Sequence, residues 1–284
     1  FNNITGAKQH VGNYAGVTVE KKEGHANFNG RDLLFIDLPG TYSLTARSLD
    51  ELVARNVIVN DNPDVIVNVL DASNLERNLY LAAQLLELEK PMVIALNMSD
   101  VAEEMGIKYD FKKMAELTGA TIVSTVGRTN IGTKELLEAT ISVAASQKAP
   151  GVTVNYGDLL EGKIAELVAA LEEAGTVTYP LRWIAIKLLE NDPDVVEKVK
   201  GFANTEAVLQ KAAAIREEIK DQVDLDIVFQ EYRHRYAVEV YNQSLTQAPK
   251  EIETRSDRYD KILTHRIWGL PIFMIVMYLL FAFV

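Results

Sequence analysis

Residues 33–40 read Leu33-Leu34-Phe35-Ile36-Asp37-Leu38-Pro39-Gly40, an apolar run that ends directly in a carboxylate and a glycine, and this stretch decides the fold class. Similar apolar runs alternate with stretches of helical spacing as far as residue 148. The predicted strands are 33–36, 65–70, 92–96 and 121–123, and the predicted helices are 75–89, 111–118 and 132–145. Strands that alternate with helices predict right-handed crossovers and a mainly parallel sheet. We therefore predict a doubly wound α/β domain over residues 1–148, with ligands at the carboxyl ends of its strands.

The composition excludes several classes of protein. The chain has 284 residues, of which 48% are hydrophobic and 24% charged, enough for one or two ordinary cores. Its net charge of -11 argues against a nucleic-acid partner, because phosphate binding needs clustered Lys and Arg. The absence of cysteine from the sequence rules out disulfides and thiolate metal sites.

Two further regions follow Pro150-Gly151, where the pattern becomes almost entirely helical. We predict an all-α domain over residues 149–250 and a polar connection over 251–266. The predicted helices of this domain are 158–174, 181–189, 194–200, 206–223 and 227–245.

Residues 267–284 contain no charged side chain and approach the roughly 20 residues that span a bilayer core. Basic side chains precede this run, which by the positive-inside rule places the upstream chain in the cytoplasm. They are Arg255, Arg258, Lys261, His265 and Arg266. We therefore predict the start of a transmembrane helix in a lipid bilayer; the alternative is a buried C-terminal helix of a soluble domain.

Two motifs follow predicted strands. At the first, Asp37 could hold Mg²⁺ through water while Gly40 lets a backbone N–H approach a terminal phosphate oxygen. At the second, Asn97-Met98-Ser99-Asp100, the Asp100 carboxylate can accept two hydrogen bonds from the Watson–Crick edge of guanine. Met98 could pack its apolar side chain over the base. Taken singly, the first motif is also compatible with a plain turn and the second with a helix cap.

A third motif, Ser124-Thr125-Val126, could complete the base pocket with a backbone N–H that faces the guanine carbonyl oxygen. The three motifs follow three apolar strands in one order, with 60 residues from Asp37 to Asn97 and 27 from Asn97 to Ser124. This ordering favours a guanine-nucleotide site over three unrelated turns.

Thr18 lies in a glycine-containing loop 19 residues before Asp37. A threonine hydroxyl there can bind Mg²⁺ when a triphosphate is present, and the flanking glycines allow the loop to open after hydrolysis. We expect Thr18 and Gly40 to act in hydrolysis, and Thr18 and Asp37 to bind the metal. The alternative is a glycine-rich surface loop.

Four segments together resemble the cytosolic G domain of FeoB-type bacterial ferrous iron transport proteins. They are VGNYAGVTVE (11–20), DLPGTYSL (37–44), DASNLERNLYL (71–81) and NMSD (97–100). The resemblance implies a Ras-like P-loop GTPase domain, a helical spacer similar to a guanine-nucleotide dissociation inhibitor, and a membrane part. It assigns nucleotide contacts to Gly16, Val17, Thr18, Val19 and Glu20 (first switch), Asp37, Leu38, Pro39 and Gly40 (second switch), and Asn97, Met98, Asp100, Ser124, Thr125 and Val126 (base pocket).

The resemblance also implies cofactors, partners and a location. The cofactors are GTP or GDP, Mg²⁺ and, near the phosphates, K⁺. The partners are Fe²⁺ as transported substrate, a small cytosolic accessory protein and further copies of the chain. The location is the bacterial inner membrane, with this portion cytoplasmic. A membrane-tethered GTP-sensing regulator without transport activity is the alternative function.

The sequence departs from this pattern in two ways. It contains no Gly-x-x-x-x-Gly-Lys-[Ser/Thr] phosphate loop, so we expect an internal piece of a longer protein, with the first strand and the phosphate loop missing. We also expect this chain alone to bind nucleotide weakly. Thr41 follows Gly40 where Ras-like proteins place a water-orienting Gln, which predicts slow hydrolysis.

Overall fold

A computed structural model describes residues 1–6, 9–13, 20–45, 48–175, 179–248 and 269–283. The strands are β1 (Gln9–Asn13), β2 (Glu20–Phe28), β3 (Arg31–Asp37), β4 (Ile66–Asp71), β5 (Met92–Asn97), β6 (Lys108–Tyr109), β7 (Thr121–Ser124) and β8 (Leu245–Gln247). The α-helices are α1 (Asn2–Thr5), α2 (Leu49–Asn60), α3 (Leu75–Leu86), α4 (Ser99–Glu104), α5 (Phe111–Thr118), α6 (Thr133–Ser146), α7 (Gly157–Ala174), α8 (Leu181–Leu189), α9 (Pro193–Lys200), α10 (Glu206–Ile219), α11 (Leu225–Ser244) and α12 (Gly269–Phe283).

The strands form two three-stranded sheets and a short pair. Strands β4, β5 and β7 form a parallel sheet in that order, which confirms the predicted parallel α/β core. Strands β1, β2 and β3 form a separate antiparallel sheet, and β6 pairs with β8. The predicted strand 33–36 therefore lies in the antiparallel sheet and not in the parallel one, so the described residues form two sheets where one was predicted. The missing first strand stays a prediction.

The parallel sheet is central because its middle strand is apolar on both faces. Four successive residues of β5, Val93 to Leu96, are at most 1% exposed. Helices α3 and α11 pack closely against each other, and one buried cluster extends from Leu79 to Trp183 and Phe229. The apolar core thus runs from the α/β region into the helical region, while the domain boundary at residues 148 and 149 stays a prediction.

Helix α2 was absent from the sequence-based prediction, although a local signal marks its start. The Ser48 hydroxyl accepts a hydrogen bond from the Glu51 backbone N–H at 3.2 Å, which caps the helix. Ser followed three residues later by Glu is the signature of a capping box. The remaining predicted helices occur with end shifts of a few residues, which is normal for helix boundaries.

Two buried arginines join the α/β region to the helical region. Arg233 of α11 is fully buried, and its guanidinium contacts Glu87 at 2.6 Å and Glu190 at 2.6 Å. Arg55 of α2, also fully buried, contacts Asp192 at 2.5 Å and Asp194 at 2.7 Å. Arg55 lies 137 positions from Asp192, and Arg233 lies 146 positions from Glu87, so the two regions share buried charge pairs as well as apolar contacts.

The predicted membrane segment over residues 267–284 contains helix α12, which has 15 residues, Gly269–Phe283. Its apolar side chains are exposed; Leu270 and Phe281 are 74% and 75% accessible. Within the described ranges, no helix has both the length and the apolarity to cross a membrane.

Candidate functional site

The base-pocket motif Asn97-Met98-Ser99-Asp100 lies where β5 ends and α4 begins. Met98 adopts a left-handed backbone conformation with φ 58°, which is uncommon for a residue with a side chain and occurs preferentially at functional sites. This sharp reversal places Asp100 in the first turn of α4. The Met98 side chain is 40% exposed and is therefore accessible to a ligand.

The loop after β7 is fastened to this motif by hydrogen bonds. The Asn97 Oδ1 accepts from the Gly127 backbone N–H at 2.9 Å, and the Ser99 hydroxyl donates to the Thr125 carbonyl at 3.0 Å. The Thr125 N–H donates to the Leu96 carbonyl at 2.8 Å. The structure thus brings the second and third predicted motifs together, and Asn97 links the two loops.

Ser124 and Val126 take positions on either side of Thr125. Ser124 is the last residue of β7 and pairs with Leu96 of β5. Val126 is buried and forms a β-bridge with Ile131, which closes the turn that follows. The turn is therefore held by its backbone, which leaves backbone donors of this loop in fixed positions.

Asp37, at the end of β3, reaches the same region through a cavity of about 410 Å³. The cavity is lined by Phe1, Asn2, Asn3, Lys22, Asp37 and Gly127. Asp37 and Gly127 therefore face one space, although Asp37 ends β3 and Gly127 lies in the turn after β7. Lys22 lies opposite Asp37 in the β2–β3 register and supplies a cation that sequence reasoning missed, because cross-strand pairing is not visible in the motif.

Gly40 is exposed, and an added Cβ would meet no atom of the described residues within 4 Å. The space beside its backbone is consequently open to a ligand. Leu38 is partly buried against the main core, so the segment between Asp37 and Gly40 is anchored on one side.

The chain after Gly40 is held by a side chain that sequence reasoning also missed. The buried Gln84 of α3 accepts a hydrogen bond from the Leu44 N–H at 2.7 Å. Thr45 donates to Glu51 at 3.0 Å and so connects this segment to the first turn of α2. Thr41, the residue in place of the Ras-like Gln, donates to the Ser43 carbonyl at 2.6 Å.

The predicted first switch is largely outside the described residues. Gly16, Val17, Thr18 and Val19 lie there, and Glu20 is the first residue of β2, where it pairs with Asn13. Their predicted roles stay predictions. Among the described residues, no three His, Cys, Asp or Glu side chains form a metal cluster.

The residues present fit a magnesium ion that is held mainly by a nucleotide. Mg²⁺ is usually bound by one or two protein groups together with substrate phosphates and waters, and Asp37 offers such a carboxylate at the cavity. Asp37 would hold the ion there, and the positive charge of the ion would stabilise phosphate oxygens.

A parallel α/β core with three strand-end motifs around one region defines a G domain of the GTPase class. Family models agree: residues 1–140 match "Ferrous iron transport protein B" and residues 156–246 match "FeoB cytosolic helical domain". The chain belongs to the FeoB family.

Curated relatives share more than a third of their aligned residues with the chain. The Fe(2+) transporter FeoB of Staphylococcus aureus (strain MSSA476) is 38% identical over 99% of this chain and 42% of its own length. An Fe(2+) transport protein A/Fe(2+) transporter FeoB fusion protein of Porphyromonas gingivalis is 37% identical over 99% of the chain and 34% of its own length. The chain thus spans about two fifths or less of these relatives.

Solved structures support the same assignment. The cytosolic domain of T. maritima FeoB in a GDP form has a TM-score of 0.74 and 31% identity, covering 87% of this chain and 92% of that one. A GDP-bound mutant of the S. thermophilus FeoB G domain has a TM-score of 0.79 and 32% identity, covering 87% and 94%. The chain therefore corresponds to the cytosolic GTPase part of FeoB.

Proposed function

We propose that this chain binds and hydrolyses GTP as the cytosolic part of a bacterial inner-membrane Fe²⁺ transporter. The observation that carries the proposal is the Asn97–Gly127 hydrogen bond of 2.9 Å, which fixes two base-pocket loops around Asp100. A loop pair held in this way is preorganised for one ligand, and preorganisation lowers the cost of binding.

Within this proposal, Asp100 accepts the N1–H and N2–H of guanine, and Met98 covers the face of the base. Backbone groups of Ser124, Thr125 and Val126 contact the guanine carbonyl. Adenine lacks the N1–H donor, so its binding would leave the Asp100 carboxylate without a partner.

The phosphates would lie in the cavity beside Asp37, with Gly40 near the terminal phosphate. Bound Mg²⁺, held by Asp37 and Thr18, would neutralise developing charge on the phosphates, and K⁺ could supplement it. The segment after Gly40, fixed by Gln84, would then respond to the presence of the third phosphate.

Transport itself belongs to the proposal, because the chain spans only part of its relatives. We propose that GTP hydrolysis is coupled to Fe²⁺ movement and that α12 forms part of a membrane helix. We also propose that a small accessory protein and further copies of the chain bind to it. The relatives named above are transporters or include one, which gives no support to a tethered regulator without transport.

A direct test uses the chain extended upstream through a phosphate loop. We expect it to bind a fluorescent GDP analogue in Mg²⁺ buffer, with GDP but not ADP as competitor, and to release phosphate from GTP but not from ATP. The 284-residue chain alone should bind more weakly than the low micromolar range, because phosphate contacts supply much of the affinity. Equal competition by ADP would reject the proposed function.

Replacing Thr18 by alanine in the extended chain should impair GTP hydrolysis and leave GDP affinity nearly unchanged. The physical reason is that a switch threonine binds Mg²⁺ mainly when the third phosphate is present. We expect a loss of at least roughly 10-fold in turnover, since even indirect metal partners are worth about 10–100-fold. Phosphate release and GDP titration measure the two effects, and equal losses for GDP and GTP would make Thr18 a folding residue.

A further inference from the structure

Arg128 contacts the carboxylate to which the base-reading role is assigned. Its Nη2 lies 3.2 Å from Oδ2 of Asp100. The Arg128 side chain is 82% exposed, whereas that of Asp100 is 30% exposed. Arg128 directly follows Gly127, whose N–H is bound to Asn97, so the backbone at this point is fixed while the side chain extends over α4.

The chemistry of the two partners of Asp100 is similar. An arginine guanidinium is planar and presents parallel N–H donors to a carboxylate. The Watson–Crick edge of guanine also presents a planar pair of N–H donors. Both groups therefore compete for the same carboxylate oxygens, and a base that binds Asp100 through both oxygens must displace Arg128 or share Oδ2 with it.

The contact has little to do with the structure of the loop. The turn is already held by the Asn97–Gly127 bond, by the Thr125 N–H to Leu96 and by the bridge between Val126 and Ile131. These contacts do not involve the Arg128 side chain. An exposed ion pair with one hydrogen bond also contributes little to stability.

We propose that Arg128 is a built-in competitor of guanine: its guanidinium occupies Asp100 when the base is absent and leaves it when the base binds. This inference rests on the proposed function. Arg128 thereby acts as a positioning residue that lowers guanine affinity and slows association. Exposed ion pairs are typically worth a factor of about 1.4 to 5, and that range sets the expected effect.

The test compares three variants in the chain extended through a phosphate loop, by stopped-flow binding of a fluorescent GDP analogue. Arg128→Gln removes both charge and donors, while Arg128→Lys keeps the charge and lacks the planar pair of donors. Lys134→Gln is the matched control, because Lys134 is a 74% exposed cation that pairs with Glu138 away from Asp100.

We expect Arg128→Gln to bind GDP about 1.4- to 5-fold more tightly, mainly through faster association, and Arg128→Lys to show part of this gain. The gain should shrink at high salt, because salt screens the pair that it removes. Lys134→Gln should bind like the parent, and all three variants should keep its unfolding midpoint.

Unchanged or weaker GDP binding by Arg128→Gln would overturn the inference; weaker binding would mean that Arg128 contacts the bound nucleotide. Failure of the proposed function is distinguishable, because the parent protein would then show no preference for GDP over ADP. In that case both proposals would be rejected together, whereas an intact GDP preference with no effect of Arg128 rejects only this one.

Discussion

Replacing Arg233 by methionine is expected to lower the free energy of unfolding by about 3–5 kcal/mol. Both oxygens of Glu87, which is 2% exposed, accept hydrogen bonds from this guanidinium, at 2.6 and 3.1 Å. Among the described residues, Glu87 would then keep the Tyr156 hydroxyl as a hydrogen-bond partner but would have no ion-pair partner in contact. Urea unfolding, followed by the fluorescence of the buried Trp183, measures the change.

Arg235→Met is the matched control for that substitution. Arg235 lies on the same helix, is exposed, and stacks over the Tyr232 ring at 4.7 Å. Its loss should cost at most about 1 kcal/mol, as is usual for an exposed cation–π contact. The double variant Glu87→Gln/Arg233→Met should recover part of the loss, because it leaves no buried charge at position 87. A loss from Arg233→Met no larger than that from Arg235→Met would contradict the argument.

The same network predicts how stability depends on pH. Burial raises the pKa of Glu190, but Lys187 and Arg233 outweigh it and lower this pKa from 4.5 to about 2. A carboxyl whose folded pKa is lowered stabilises the fold above its unfolded pKa. That contribution is lost as the pH falls from about 4.5 towards 2. Over this range, the free energy of unfolding should therefore fall more in the parent protein than in Arg233→Met.

Local patterns in the sequence predicted much of the fold correctly. Strand β5 and helix α5 were predicted nearly to the residue, because a continuous apolar run and an amphipathic stretch between Asp110 and Gly119 are local signals. The Asp110 side chain caps α5, and Gly119 ends it with φ 66°. Such signals do not depend on distant contacts, so sequence reasoning can detect them.

The remaining features depend on long-range contacts. Arg55 and Asp192 are 137 positions apart, and Arg233 and Glu87 are 146 apart, so no local pattern announces these pairs. The division of the strands into two sheets likewise depends on which strands pair with each other. At the candidate site, sequence reasoning named the motif residues, and their roles stay predictions. It missed Gln84, Lys22 and Arg128, because their contacts arise only from folding.

These long-range pairs connect the candidate site to the helical region. Helix α2 follows the segment after Gly40, and the hydrogen bond from Thr45 to Glu51 connects the two. Arg55 on the same helix binds Asp192 and Asp194 of the helical region. The segment proposed to sense the third phosphate is therefore joined to the helical region by one helix and one buried arginine.

Asp100→Ala in the chain extended through a phosphate loop is expected to weaken GDP binding by about 1–3 kcal/mol or more, which is roughly 5- to 150-fold. The N–H donors of guanine would then lose the acceptor that the proposed site gives them beside Met98 and the loop at Thr125. Calorimetry of GDP binding measures the loss.

Asp100→Asn separates this effect from damage to helix α4, because it retains the size of the side chain. Its amide presents one donor and one acceptor, so it should also reject guanine but accept xanthine, whose 2-oxo group accepts the amide N–H. We therefore expect GDP affinity to fall in both variants and xanthosine diphosphate to bind only to Asp100→Asn.

If the GDP dissociation constant is unchanged in Asp100→Ala, Asp100 does not read the base, and Arg128 would then pair with it for reasons unrelated to nucleotide. If Asp100→Asn loses GDP binding and gains xanthosine diphosphate binding, the Asp100 carboxylate is the source of guanine specificity. Only the hydrogen-bond pattern at one position has then been exchanged.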